Sequence, residues 1–112
     1  MILMMILEDE LMMSENEYSY PLDLDWTTEE IITVTEFFVA IEEAYGQGSE
    51  ESRNGVRRGT LAARYQAFKT VVPGKSEEKQ LFRSFKDASG LDSYAIVKQL
   101  RDVTDDDALI KA

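Results

Sequence analysis

The chain has 112 residues, with 12 Lys and Arg against 22 Asp and Glu, so its formal net charge is -10. It contains no His and no Cys, which excludes a thiolate nucleophile, a disulfide, a Cys/His zinc site and a Ser-His-Asp triad. The longest uninterrupted apolar run, residues 1–7, is far shorter than the roughly 20 residues that span a bilayer, so we expect no membrane segment and a cytoplasmic location.

The N-terminus has an unusual composition. All five Met residues fall within the first 13 positions, and Met12 and Met13 precede a polar stretch typical of a protein start. We interpret residues 1–13 as a non-native or misannotated extension, with translation starting at Met12 or Met13. The alternative is a short amphipathic helix that docks on the domain. The intact mass of the natively expressed protein distinguishes the two.

Residues 14–26 are predicted to be an extended lead-in, because the residue before Pro21 is biased away from the helical conformation. Thr27, followed by Glu30 three positions later, predicts a capping box and a helix start. Gly46 ends that helix. The apolar residues of the first helix fall in one arc: Ile31, Val34, Phe37, Phe38, Ile41, Ala44 and Tyr45.

Two further helices follow a polar loop over residues 46–55. The second helix ends before Pro73, and the third opens at residues 76–78 and ends at Gly90. Apolar residues at helical spacing predict their inward faces: Leu61, Tyr65, Phe68 and Val72 on the second helix, and Leu81, Phe82, Phe85 and Ala88 on the third.

A fourth helix starts at Asp92 or Ser93, with an apolar face of Ile96, Val97 and Leu100 that Tyr94 could extend. Residues 104–112 are predicted to be an acidic tail, frayed over the last five positions. The sequence thus predicts an all-α fold, a compact irregular array of about four helices in a single small domain over residues 27–103.

Charge is distributed unevenly along the chain. Residues 1–52 hold 14 acidic and no basic residues, whereas residues 53–101 hold 11 basic and four acidic residues. One interpretation is that the acidic first helix pairs with the basic second half. The alternative is an RNA-binding face on the second and third helices, with Arg57, Arg58 and Arg64 as candidate anion contacts. We favour pairing, because the nearby aromatic residues lie at core spacing.

Carboxylates around the start of the first helix invite a cation-site interpretation. An EF-hand loop starting at Asp23 fails, because Thr28 stands where Gly is needed and Val34 where a bidentate Glu is needed. We therefore predict no metal and no cofactor. Nothing singles out a catalytic group either, so we expect a protein that is not an enzyme.

The lead-in holds the candidate partner-contact residues, Tyr18, Tyr20, Asp23, Asp25 and Trp26. They form either an N-terminal clasp on the bundle or a surface for a protein partner. A protein partner is the leading hypothesis for function and RNA is the alternative. The oligomeric state remains open.

Three motifs together resemble a known family. The first is the segment from Tyr18 to Glu30, which contains Tyr-Pro-Leu-Asp-Leu-Asp-Trp and leads into Phe37-Phe38-x-x-Ile41-Glu42-x-Ala44-Tyr45. The second is the stretch from Tyr65 to Lys79, which contains Val-Val-Pro, and the third is Ser89-Gly90 followed by Tyr94. This pattern is similar to the uncharacterised bacterial protein family number 0223 over roughly residues 16–101. The resemblance implies an irregular all-helical fold and a start close to the Tyr-Pro segment. It implies no activity, substrate or cofactor, so no functional residue is carried over.

Overall fold

The computed structural model describes residues 18–47 and 55–112, and the predicted extension over residues 1–13 lies outside them. In this part of the chain the four helices are α1 over Thr28–Ala44, α2 over Arg58–Val71, α3 over Lys75–Ser89 and α4 over Ser93–Val97, which a 3-10 turn continues over Lys98–Arg101. Two short antiparallel strands, β1 over Val56–Arg57 and β2 over Leu109–Ile110, complete it. The predicted all-α class with about four helices is confirmed.

Helix α1 begins with the predicted capping box. The Thr27 hydroxyl accepts a hydrogen bond from the Glu30 amide at 3.1 Å, and the Thr27 amide donates to the Glu30 carboxylate at 2.9 Å. These bonds satisfy amides that have no partner within the helix. At the other end Gly46 takes a positive φ of 77°, a conformation that Gly adopts without strain.

The C-terminal residues fold back onto the start of α2. Ile110 pairs with Val56 in the two-stranded ladder and is fully buried. The Arg58 amide donates to the Ala108 carbonyl at 2.8 Å, so this segment also satisfies an exposed end of α2. The prediction that residues 108–112 are frayed is therefore wrong. A strand of two residues is too short to show alternation in a sequence.

Helices α3 and α4 meet at the predicted junction. Gly90 ends α3 with a positive φ of 80°, and the Asp92 carboxylate accepts a hydrogen bond from the Ala95 amide at 3.2 Å as the cap of α4. Ala88 is exposed, contrary to its predicted inward position. Helix α3 contacts the core through a narrower stripe, of which only Phe85 is fully buried.

Aromatic rings fill the centre of the bundle. Phe37 from α1 packs on Phe68 from α2 with ring centroids 4.5 Å apart, and Phe38 packs on Phe85 from α3 at the same distance. All four side chains are fully buried. Because each ring buries a large apolar area, these contacts fix α1 against both α2 and α3.

Candidate functional site

The lead-in makes a tight turn just before α1. In this turn, residues 23–26, the Trp26 amide donates to the Asp23 carbonyl at 3.1 Å and the Asp25 amide donates to the Asp23 carboxylate at 2.9 Å. An Asp side chain that bonds the backbone two residues on is a standard means of fixing a turn. We call residues 23–26 the acidic turn.

The acidic turn displays an apolar side chain to solvent. Leu24 lies at its tip and is 79% exposed, between the exposed carboxylates of Asp23 and Asp25. On either side, Leu22 and Trp26 are partly buried and pack against the core. The turn is therefore anchored at both ends, while Leu24 projects from it with two negative charges beside it.

The two tyrosines of the lead-in point the other way. Tyr20 is buried and donates a hydrogen bond to the Glu42 carboxylate at 2.6 Å, and the Tyr18 hydroxyl donates to the other oxygen of that carboxylate. The Tyr20 ring also lies parallel to Phe85, with centroids 6.2 Å apart. Tyr20 thus attaches the lead-in to the bundle and offers little surface to a partner, whereas Asp23 and Asp25 are open to one.

Glu42 is the member of this cluster that the sequence analysis did not single out. It lies on α1 directly after Ile41, outside the predicted set of apolar residues, and its side chain is buried. A buried carboxylate requires hydrogen-bond donors, which Tyr18 and Tyr20 supply. The sequence signals that could have indicated it are the two tyrosines, which precede α1 at alternate positions, and the place of Glu42 in the motif that resembles the family.

A cleft of about 310 Å³ opens between α2, α3 and the end of α4. Its apolar walls come from Phe82, Val97 and Leu100, and the ring of Tyr94, which is 60% exposed, stands at its edge. Lys98 and Arg101 also line it.

One polar pair lies inside the cleft. The Tyr65 hydroxyl donates to the Glu78 carboxylate at 2.7 Å, and the Lys69 ammonium lies 3.3 Å from the other oxygen. Burial, and then the hydrogen bond and negative charge of Glu78, raise the pKa of the Tyr65 hydroxyl above its ordinary value. Because Lys69 neutralises Glu78, the open charges of the cleft are those of Lys98 and Arg101, which form no ion pair with the described residues.

The three candidate anion contacts do not form one patch. Arg64 pairs with Glu36 of α1 at 2.6 Å, in agreement with the predicted pairing of the acidic first helix with the basic half. Arg57 lies 3.9 Å from Asp107, and Arg58 lies 3.1 Å from Asp106. Two of the three arginines therefore face the C-terminal segment, and the pairing prediction is wrong for them.

Arg58 has a further structural role. Its guanidinium also donates to the Val103 carbonyl at 2.9 Å and to the Leu100 carbonyl at 3.2 Å. Five N–H donors in a fixed planar arrangement make arginine suited to such a convergence of acceptors. Arg58 thus ties the start of α2 to the segment that follows α4.

The described residues, 18–47 and 55–112, contain no group of three or more Asp or Glu side chains arranged to hold a metal ion. No helix among them is both long and apolar enough to cross a membrane.

The fold and these surfaces define a small helical domain with a hydrogen-bonded acidic turn at one place and an open cleft at another. The model of the Uncharacterised protein family (UPF0223) matches residues 17–108. The chain belongs to this family.

Relatives from several bacteria agree with this assignment. A UPF0223 protein of Lysinibacillus sphaericus is 45% identical over 80% of this chain and 86% of its own length. One of Streptococcus thermophilus is 50% identical over 77% of this chain and 85% of its own, and one of Oceanobacillus iheyensis is 47% identical over 79% and 92%. The family is uncharacterised, so its function is unknown.

Proposed function

We propose that this protein is not an enzyme and acts in the cytoplasm by binding another protein through the acidic turn. One observation carries the proposal: Leu24 is 79% exposed at the tip of a turn whose two ends are anchored in the core. Because the backbone that carries Leu24 is already fixed, binding would not have to order the turn. The flanking Asp23 and Asp25 add a charge pattern by which a partner is selected.

Site-specific crosslinking tests the proposal in the native cell. A photo-crosslinking amino acid replaces Leu24 in the full chain, and a matched chain carries it at Leu109, an exposed leucine in β2. We expect covalent protein adducts from position 24 that survive nuclease treatment and are absent from position 109. Adducts of equal yield from both positions, or none from position 24, would contradict the proposal.

A charge variant of the turn adds a second criterion. Asp23→Asn keeps the side-chain oxygen that accepts the hydrogen bond from the Asp25 amide, and Asp25→Lys reverses an exposed charge. With the crosslinker at position 24, these two changes should abolish the adducts and leave the fold intact.

RNA binding through Arg57, Arg58 and Arg64 is the second candidate. It is supported less well, because each of these arginines lies within 4 Å of a carboxylate that an RNA phosphate would have to displace. Its signature would be RNA affinity that falls steeply with salt.

A further inference from the structure

We propose that the acidic turn of one copy of this protein docks into the cleft of a second copy. This inference rests on the proposed function, since it names the partner surface that the turn contacts. The turn carries an exposed apolar side chain between two carboxylates, the cleft has apolar walls beside two cations, and both are present on every copy.

The apolar parts match first. The cleft has walls of Phe82, Val97 and Leu100, and its volume of about 310 Å³ exceeds that of one leucine side chain. Leu24 is exposed on its own copy, so it does not occupy the cleft of that copy. Burial of Leu24 in a second copy removes from water both the most exposed large apolar side chain of the described residues and the walls that receive it.

The charges of the two surfaces are opposite in sign. Two carboxylates flank Leu24, and two cations, Lys98 and Arg101, line the cleft without an ion-pair partner among the described residues. On α2 the cations Arg58, Arg64 and Lys69 are already paired, and the cations of α3 that are unpaired in the described part of the chain, such as Arg83, do not line the cleft. The open positive charge of the cleft is thus concentrated where the carboxylates of a docked turn would lie.

The net charge of -10 opposes association of two copies, and its distribution reduces that opposition. The acidic turn belongs to the half of the chain that has no basic residue up to position 52, whereas the cleft is built from the basic half. Docking therefore brings unlike charges closer together than the Debye length, which is roughly 10 Å. Salt screens the repulsion between the more distant acidic groups of the two copies more strongly than it screens this attraction.

Symmetry follows from the two surfaces. Each copy carries one turn and one cleft, so two copies can exchange turns reciprocally in a closed dimer, or copies can associate head to tail. In both arrangements every contact needs an intact turn on one copy and an intact cleft on the other. That requirement makes the inference testable by mixing variants.

Sedimentation velocity of the full chain is the test, with a turn variant, a cleft variant and a control variant. Asp23→Asn with Asp25→Lys alters the turn, and Lys98→Glu with Arg101→Gln alters the cleft. The control, Arg83→Glu with Lys111→Gln, makes the same charge change as the cleft variant, at exposed positions that do not line the cleft. Circular dichroism and urea unfolding confirm that each variant is folded.

We expect the unaltered chain and the control to associate, and each altered chain alone to weaken self-association by about tenfold or more. An equimolar mixture of the turn variant and the cleft variant should recover a complex, because the intact turn of one meets the intact cleft of the other. Leu24→Ser should weaken association by about tenfold or more without any change of charge.

Two results would overturn the inference: sedimentation of the unaltered chain as a monomer up to about 1 mM, a range that covers even weak complexes, or association that neither altered surface weakens. Crosslinks from position 24 to a different protein would then leave the proposed function standing. Crosslinks from position 24 to a second copy alone, with self-association that both altered surfaces weaken, would support both proposals and identify the second copy as the partner.

Discussion

At the scale of single residues, the buried carboxylate of Glu42 fixes the lead-in to α1. Tyr20→Phe removes one charge-assisted hydrogen bond of 2.6 Å and leaves the ring stacked on Phe38 and Phe85. We expect the free energy of unfolding to fall by about 1.5–3 kcal/mol, measured by urea denaturation. Tyr94→Phe removes the same hydroxyl at an exposed position and should change it by less than about 0.5 kcal/mol. Equal effects would contradict the role assigned to Glu42.

Tyr65 predicts how the protein responds to alkali. Because its pKa is raised in the folded state, the unfolded chain loses the phenol proton first as the pH rises through about 10. The free energy of unfolding should therefore decrease above about pH 10, and the decrease should be smaller in Tyr65→Phe. Phenolate absorbance provides the second measurement: the difference between the titration curves of the unaltered chain and Tyr65→Phe should show a phenol that ionises above its ordinary pKa.

Glu78→Gln separates the causes of that shift. It removes the negative charge beside the Tyr65 hydroxyl and leaves its burial unchanged. The pKa of Tyr65 should fall but stay above its ordinary value, because burial is the largest cause. A return to ordinary titration would show instead that Glu78 dominates.

At the scale of elements, the sequence predicts what local chemistry determines. The capping box at Thr27 and Glu30 and the stop at Gly90 depend on a few neighbouring residues, and both are confirmed. The ladder between β1 and β2 joins segments more than fifty positions apart and shows no local pattern. For the same reason the sequence grouped Arg57 with Arg58, although only Arg58 reaches three acceptors across the fold.

In the acidic turn and the cleft, too, the sequence predicts the local features and misses those that depend on tertiary contacts. Asp23, Asp25 and Trp26 could be selected from their positions before α1, because Asp and a turn go together locally. The outward direction of Leu24 depends on the burial of its neighbours Leu22 and Trp26, which is a tertiary effect. The cleft depends on three helices at once, so spacing alone assigned Tyr65 and Phe82 to the core and did not indicate an opening beside them.

The strand β2 is expected to stabilise the bundle through Ile110. Ile110→Ala removes a fully buried side chain and should lower the free energy of unfolding by about 2–5 kcal/mol. Leu109→Ala, one position earlier, changes a side chain that is half exposed and should cost under about 1 kcal/mol. Thermal and urea unfolding of both variants provide the comparison, and a cost at Ile110 no larger than at Leu109 would mean that the C-terminal segment does not stabilise the bundle.

At the scale of the whole molecule, an ion pair and apolar packing both join the acidic α1 to the basic α2. Two adjacent residues of α1 each make one of these interactions, so substitutions can measure them separately. Glu36 pairs with Arg64 at the surface, whereas Phe37 packs on Phe68, Phe82 and Tyr65 with ring centroids 4.5–5.7 Å apart. An exposed ion pair contributes at most about 1 kcal/mol, because water and salt screen it. Loss of a buried phenyl ring costs about 3–5 kcal/mol.

Glu36→Gln should therefore lower the free energy of unfolding by no more than about 1 kcal/mol, and Phe37→Ala by about 3–5 kcal/mol. Urea denaturation at low and at high salt measures both costs. The loss in Glu36→Gln should shrink further as salt rises, while the loss in Phe37→Ala should persist, because apolar burial is not screened. If the two costs were similar at low salt, the charge asymmetry of the chain would be a main determinant of its fold. If they differ as expected, the asymmetry contributes little to folding, and its open charges at the acidic turn and the cleft remain available for contacts between molecules.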